Sequence, residues 1–397
     1  AYRRGMNRLI TTGVKGNYED ARKEFEIARK LDPKFVDPLI MLADIEWMIT
    51  GLGKTTIRPH VAFTRARKRL NEAISLAPDN GTVLWEQGFQ AMCGDWDWEE
   101  SLKAFRKAVA CSPEIADYYE GLIFYISNIE GRFADALMYV NQAYQLESDN
   151  LFIRNTEAWA YEHHGYYEEA IERHEKFRSN KLTEWNHLRG IARCLSELNR
   201  LDEALEKAEK AVELSERDPT MLLRLASVLA QAGDQAKART VLDEVLEQAK
   251  EYYVKETHLA EAYARIGEWD TAFYWLEKGY AEGAGEQFAT LRRYPLLTLM
   301  GDQPRYWDIV DRMNFPALPI EHGFYEKEQQ MRFGKGAPAI IEKSMEPATY
   351  TEIRLPESAP LALGVEGPMG GFGSSVLTLS PDGHHLAYVG KSETETQ

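Results

Sequence analysis

A small residue recurs along most of the chain at a nearly constant interval. The positions are Ala21, Ala66, Ser101, Ala136, Ala170, Ala204, Ala238 and Ala272. The first interval is 45 residues, the next two are 35, and the last four are 34. A fixed period of roughly 20–50 residues is typical of chains built from stacked structural repeats. The recurrence therefore predicts one structural unit, repeated about eight times between residues 1 and 280.

Two further columns share this period and indicate what the unit is. Gly131, Gly165, Asn199, Gly233 and Gly267 lie 34 residues apart, as do Ala158, Ala192, Ala226 and Ala260. Gly and Asn adopt the left-handed backbone conformation that ends many helices. Small residues allow two antiparallel helices to cross closely, and larger apolar residues fill the rest of each stripe at helical spacing. Each unit is therefore predicted to be a helical hairpin.

The pattern resembles the tetratricopeptide repeat family. Gly16–Pro33 has the pattern G-N-Y-x2-A-x3-F-x2-A-x4-P, and Ser101–Pro113 repeats its second half with Ser in the first small position. The resemblance covers about residues 2–280. It implies an all-α fold, a right-handed α-solenoid of about eight helical hairpins, in which the first helices line a concave groove.

The long first interval places an insertion of about 11 residues near residues 51–59. Two interpretations are open, a tolerated surface loop and a contact with a partner. Residues 281–315 are expected to form capping helices, because a solenoid must cover its last apolar face. Residues 316–372 are rich in Pro and Gly and are predicted to be a linker with short strands.

Residues 373–397 are predicted to form a β-hairpin around the turn Ser380–Gly383. The segment Leu379–Tyr388 resembles the start of a TolB-type, WD-like β-propeller, so the hairpin is interpreted as a truncated first blade. Repeats followed by such a blade resemble the regulatory part of bacterial multidomain signalling proteins. Since the first residues already have a mid-helix pattern, we expect the chain to be a fragment of a longer polypeptide.

The charge balance narrows the classes of partner. The chain has 47 Lys and Arg against 63 Asp and Glu, a net charge of −16, so nucleic acid is not expected to bind this segment. No apolar run approaches the roughly 20 residues that span a bilayer. A cytoplasmic location is expected, or a periplasmic one if a transmembrane helix lies upstream. Oligomeric state is left open.

No catalytic constellation is present in the sequence, and neither an enzyme activity nor a cofactor is predicted. Gly51–Thr56 resembles a phosphate-binding loop, but Met48 stands where the motif requires Gly and a helix precedes it. His163, His164 and His174 lack the spacing of a metal site and are predicted to be solvent-facing. Cys93, Cys111 and Cys194 are too few for a disulfide framework.

Binding has better support. The repeat register places aromatic, amide and charged side chains on the groove in three adjacent units. They are Tyr118, Tyr125, Asn128, Asn155, Trp159, Glu162, Asn186, Arg189, Arg193 and Ser196. Arg holds carboxylates bidentately, and Trp and Tyr anchor peptides. The set loosely resembles the carboxylate clamp of some tetratricopeptide proteins. Alternatively, Arg189 and Arg193 pair with Glu157, Glu162 or Glu197, and the aromatic residues only pack between repeats.

These observations predict a non-catalytic scaffold that binds a protein or peptide, with an acidic segment or a C-terminal tail as the preferred ligand. The alternative function is a structural spacer or an oligomerisation arm. Such an arm would position an upstream output domain, such as a kinase, a cyclase or a winged-helix DNA-binding domain, against a β-propeller.

Overall fold

The computed structural model describes residues 1–11, 18–51, 55–177, 184–283, 285–293, 295–318, 328 and 331–332, and the backbone of 351–353, 376–379 and 386–389. The chain divides into two units, Ala1–Ala337 and Pro338–Gln397. The finer predicted boundaries, 1–280, 281–315, 316–372 and 373–397, remain predictions.

The first unit begins with eight successive helix pairs. Their helices are α1 (Tyr2–Thr11), α2 (Tyr18–Leu31), α3 (Asp37–Gly51), α4 (Pro59–Leu76), α5 (Gly81–Phe89), α6 (Trp98–Cys111), α7 (Tyr118–Asn128), α8 (Phe133–Leu146), α9 (Leu151–His163), α10 (Tyr167–Phe177), α11 (Glu184–Glu197), α12 (Leu201–Leu214), α13 (Pro219–Gln231), α14 (Gln235–Gln248), α15 (Glu256–Arg265) and α16 (Trp269–Ala281). The two helices of every pair are in contact with each other. A π-helical segment, Gln90–Asp95, continues α5 and lies within the first 35-residue interval.

The recurring small residues lie where the helices of a pair cross. All eight are buried, and the most exposed, Ala66, shows 3% of its surface. The column of Gly and Asn residues has positive φ throughout, from 60° at Asn199 to 88° at Gly233. This backbone conformation ends the first helix of units four to eight. The structure therefore confirms the repeat register and the all-α fold of this region.

Three short helices follow the pairs and form the cap. They are α17 (Glu286–Ala289), α18 (Leu296–Met300) and α19 (Pro304–Arg312). Phe288 and Tyr306 of the cap are fully buried in the same apolar cluster as the last helix pairs. The cap also reaches back to earlier pairs, because the indole nitrogen of Trp98 donates to the Met313 carbonyl at 2.9 Å.

The insertion after α3 joins distant parts of the first unit, although Thr56 and Arg58 among its described residues are exposed. Thr55 is buried, and its carbonyl accepts a hydrogen bond from the Tyr253 backbone nitrogen at 2.6 Å. Arg58 forms an ion pair with Glu282 at the end of α16. The insertion therefore ties the second helix pair to the eighth, an intramolecular role that spacing alone did not suggest.

In the second unit the described backbone forms three short strands. They are β1 (Thr351–Ile353), β2 (Val376–Leu379) and β3 (Leu386–Val389), in the antiparallel order β1-β3-β2. Val376 pairs with Val389 and Leu379 with Leu386. The predicted turn, Ser380–Gly383, lies outside the described residues. That this segment is a propeller blade stays a prediction.

Candidate ligand-binding site

The first helices of the pairs share one side of the first unit, which we call the inner face. Each first helix from α3 to α15 contacts the next one along the chain. Side chains at equivalent repeat positions therefore line up across several units.

No described helix has the length and apolar composition of a membrane span.

A cavity of about 270 Å³ opens on the inner face between α7, α9, α11, α13, α15 and the cap. Its aromatic residues are Phe124, Trp159 and Trp185. Its charged residues are Arg189, Arg193, Lys255 and Arg293, with Asp218, Glu261 and Glu286. The wall therefore combines apolar ring surface with cations and anions, as ligand sites commonly do.

Four of the residues predicted for the groove line this cavity, namely Trp159, Asn186, Arg189 and Arg193. The others lie elsewhere. The Tyr118 and Thr82 hydroxyls are hydrogen-bonded at 2.9 Å, and the Ser196 hydroxyl donates to Gln231 at 2.6 Å. Asn155 is half-buried outside the cavity lining.

The remaining three predicted residues are buried inside the protein. Tyr125 belongs to the apolar core, and burial raises its pKa. Asn128 accepts a hydrogen bond from His163, and Glu162 forms a buried ion pair with Arg193. A peptide-binding role for the predicted set stays a prediction.

Sequence reasoning missed Phe124, which lines the cavity from α7. Trp159 lies 11 residues before Ala170, and the same spacing before Ala136 falls on Tyr125. The interval from Ser101 to Ala136 contains one extra residue. Counting forward from Ser101, with the spacing from Ala136 to Trp159, reaches Phe124. The extra residue therefore lies after the inner-face positions of α7.

Two of the buried Arg residues around the cavity have carboxylate partners. Arg193 pairs with Glu162, as the alternative interpretation anticipated, and Arg224 binds Glu261 with two hydrogen bonds of 2.7 and 3.1 Å. The neighbouring guanidinium of Arg224 and that of Arg265 outweigh the effect of burial and lower the pKa of Glu261 to about 2. Buried charges need such pairing to offset the loss of hydration.

Arg189 differs from these cations. Its Nε and Nη2 donate to the Asn186 side-chain oxygen at 3.2 and 3.0 Å. Among the residues that the structure describes, no carboxylate forms an ion pair with it. Burial lowers its pKa to about 10, and the nearby positive charge of Arg224 acts in the same direction. Arg189 therefore presents a positive charge to the cavity that a ligand anion could neutralise.

The prediction of solvent-facing histidines is wrong for His163, His164 and His174, which are all buried. Nδ1 of His163 donates to Asn128 at 2.8 Å, and Nε2 of His164 donates to the Ser127 carbonyl at 2.9 Å. Nδ1 of His174 lies 3.2 Å from Nδ1 of His187. Burial lowers the pKa of His163 and of His174 to about 3. These rings hold adjacent repeats together through hydrogen bonds.

Within the described ranges, no group of His, Cys, Asp and Glu has a metal-binding arrangement. Cys93 and Cys194 are buried and Cys111 is exposed. Burial raises the pKa of the Cys194 thiol to about 12, which disfavours the nucleophilic thiolate. His384 and His385 lie outside the described residues.

Comparison with known proteins gives one family match for the repeats. A tetratricopeptide repeat profile matches residues 189–253. The match supports a role of the repeats as a protein–protein interaction scaffold. No protein of curated function matches the chain.

Several solved structures are similar to parts of the chain. PilF of Pseudomonas aeruginosa is 18% identical over 51% of this chain and 90% of its own, with a TM-score of 0.38. YrrB, described as a tetratricopeptide protein with an unusual peptide-binding site, is 17% identical over 48% of this chain and 91% of its own, with a TM-score of 0.31. The human IFIT1 dimer with PPP-AAAA is 17% identical over 75% of this chain and 77% of its own, with a TM-score of 0.48.

Proposed function

We propose that the protein is a non-catalytic scaffold whose inner-face cavity binds an acidic segment of a partner protein or peptide. The observation that carries this proposal is Arg189, a partly buried cation on the cavity wall that no carboxylate of the described residues pairs with. A partner carboxylate would form the direct ion pair that Asp218, Glu261 and Glu286 of the same cavity do not form with Arg189. Trp159 and Trp185 on the same wall offer rigid area for an adjoining side chain.

The test is fluorescence polarisation with a library of fluorescein-labelled acidic heptapeptides, some of which also contain an aromatic residue. The tightest-binding peptide should lose about tenfold or more in affinity with Arg189→Glu, and also with Trp159→Ala. Arg217→Glu and Tyr274→Ala are matched controls, because Arg217 pairs with Glu244 away from the cavity and Tyr274 is 58% exposed. Absence of binding by every library member, or equal losses in the control variants, would contradict the proposal.

We further propose that this scaffold is the sensory or regulatory segment of a larger bacterial signalling protein in the cytoplasm. The support is the resemblance of Leu379–Tyr388 to the start of a propeller blade, next to tetratricopeptide repeats. The sequence upstream in the same reading frame tests it. A kinase, cyclase or winged-helix domain there would support the proposal, and a reading frame without an output domain would contradict it.

The second candidate function is a spacer or oligomerisation arm. It is favoured by two neighbouring apolar residues at the start of α9, Leu151 and Phe152, which are 50% and 57% exposed. Light scattering at several protein concentrations tests self-association. A dimer that Phe152→Asp converts to a monomer would support this function, whereas a monomer at all concentrations would exclude self-association.

A further inference from the structure

The two tryptophans of the cavity wall differ from other tryptophans of the protein in their ring contacts and indole hydrogen bonds. Trp47 stacks on Phe89 with centroids 5.7 Å apart, and Trp98 stacks on Phe315 at 4.8 Å. By contrast, Trp159 and Trp185 have neither an aromatic ring partner nor an indole hydrogen bond within the described part of the chain. Both rings are half-buried, so each keeps a surface available inside the cavity.

Arg189 lies on the same wall and has donors beyond those that Asn186 engages. A guanidinium carries five N–H donors, and two of its nitrogens here donate to one amide oxygen. The planar fork matches the geometry of a carboxylate better than that of a single neutral acceptor. Counting only residues that the structure describes, the wall therefore combines one cation without an ion-pair partner with two rings without ring partners.

The size of the cavity limits what can enter it. Its volume is about 270 Å³, just below the roughly 300–1,000 Å³ that ligand pockets occupy. Cap residues such as Gln287 and Leu296 form one side of it. One ring with a short polar group is the chemistry that fits this volume.

We infer that the cavity is a site for an aromatic carboxylate, with the carboxylate on Arg189 and the ring against Trp159 and Trp185. The group has two sources, an aromatic residue at the C-terminus of a partner peptide or a free aromatic carboxylic acid. In its peptide form the inference rests on the proposed function, and it specifies which part of the partner enters the cavity.

Isothermal titration of the full chain with N-acetylphenylalanine and with N-acetylphenylalaninamide tests the site. The acid should bind about tenfold more tightly than the amide, because only the acid can pair with Arg189. Arg189→Gln should abolish this preference, and Trp159→Leu and Trp185→Leu should weaken both compounds. Arg239→Gln and Trp275→Leu, which alter an Arg and a Trp outside the cavity lining, should change neither affinity.

The circular dichroism spectrum and melting temperature check that each variant folds. If Arg189→Gln does not fold, Arg189→Lys keeps the charge without the planar fork, and the preference for the acid should then fall without vanishing. Equal affinities for acid and amide in the wild-type protein, or an unchanged preference in a folded Arg189 variant, would overturn the inference.

The source of the group is decided with the tetrapeptide Gly-Glu-Asp-Phe, with a free or an amidated C-terminus. A peptide terminus as ligand predicts that the free tetrapeptide binds about tenfold more tightly than N-acetylphenylalanine and that amidation removes this gain. A free acid as ligand predicts no gain from the peptide, and this outcome keeps the site but contradicts peptide binding in the cavity. Acidic heptapeptides that bind without an aromatic residue, while no aromatic acid binds, would overturn the inference and leave the proposed function standing.

Discussion

The two ends of the inner face bury charged groups in opposite ways. At the first end, Asp44, Glu86 and Glu120 lie on α3, α5 and α7, and none of them forms an ion pair with a described Lys or Arg. At the other end, on α11 and α13, Arg193 and Arg224 pair with buried carboxylates. The same repeat scaffold therefore accommodates both unpaired acids and ion pairs on its inner face.

The physical consequence appears in the pKa values. Burial raises the pKa of Asp44 to about 7 and that of Glu120 to about 8, and burial with the neighbouring Asp44 raises the pKa of Glu86. Glu261, close to Arg224 and Arg265, shifts to about 2. The first end thus avoids buried charge by keeping protons, and the other end retains charge by pairing it. Among the described residues, the second end carries a cavity cation, Arg189, that forms no ion pair with a carboxylate.

The largest effect should come from removing a carboxylate at the paired end. Glu261→Gln leaves Arg224 buried without a negative partner, and we expect a loss of about 3–5 kcal/mol in the free energy of unfolding. Urea unfolding at pH 7 measures it. Glu120→Gln is the matched variant of the first end and should cost less than about 1 kcal/mol, because that carboxyl is already neutral. Similar losses in both variants would remove the distinction between the two ends.

Ala66→Leu and Ala204→Leu test whether the difference between the ends is confined to the inner face. Ala66 and Ala204 are buried at helix crossings in the two halves of the array. Overpacking at either crossing should destabilise the protein by about 1–3 kcal/mol. Thermal unfolding measures the loss, and Ala236→Leu on an exposed position of α14 is the control. An unchanged melting temperature for either variant would show that the register is wrong there.

The pH dependence of stability should have opposite signs at the two ends. Between about pH 4.5 and 8 the unfolded chain releases the Glu120 proton while the native protein keeps it, so this group lowers stability as pH rises. Glu261 stabilises the native state above about pH 4.5, and that contribution is lost as pH falls toward 2. Glu120→Gln should therefore gain roughly 1.4 kcal/mol per pH unit relative to wild type, or about 3–4 kcal/mol between pH 5 and 8. A constant difference across that range would contradict the raised pKa.

The smallest effect concerns the insertion that joins the two halves. Arg58→Glu places two like charges at the ion pair with Glu282, whose side chains are 45% and 32% exposed. Such exposed pairs contribute about 0.2–1 kcal/mol, so the loss should lie in that range. Amide hydrogen exchange around Thr55 and Tyr253 should become faster. The double variant Arg58→Glu/Glu282→Arg should restore slow exchange, and failure to do so would exclude the ion pair as the cause.

The repeat positions were predictable because they depend on contacts within one helical hairpin. Ala204 must be small where α11 and α12 cross, and Gly233 must adopt positive φ where α13 ends. The histidines were not predictable in this way. His163 is buried because Asn128, 35 residues earlier, reaches it from a neighbouring repeat, and no local pattern shows this contact. The position of the extra residue between Ser101 and Ala136 was not predictable either, because the packing of the helices decides where a unit accommodates it. For this reason the sequence pointed to Tyr125 where Phe124 lines the cavity.

By itself, the sequence determined the period, the pairing of helices, the residues at helix crossings and the helix ends. These properties follow from side-chain size and backbone conformation at fixed spacings. Only the tertiary structure decided that Arg189 forms no ion pair with a described carboxylate, that the cap closes one side of the cavity, and that Thr55 reaches Tyr253. Those outcomes depend on which distant surfaces meet when the repeats stack, and small changes accumulated over successive units determine where the surfaces lie.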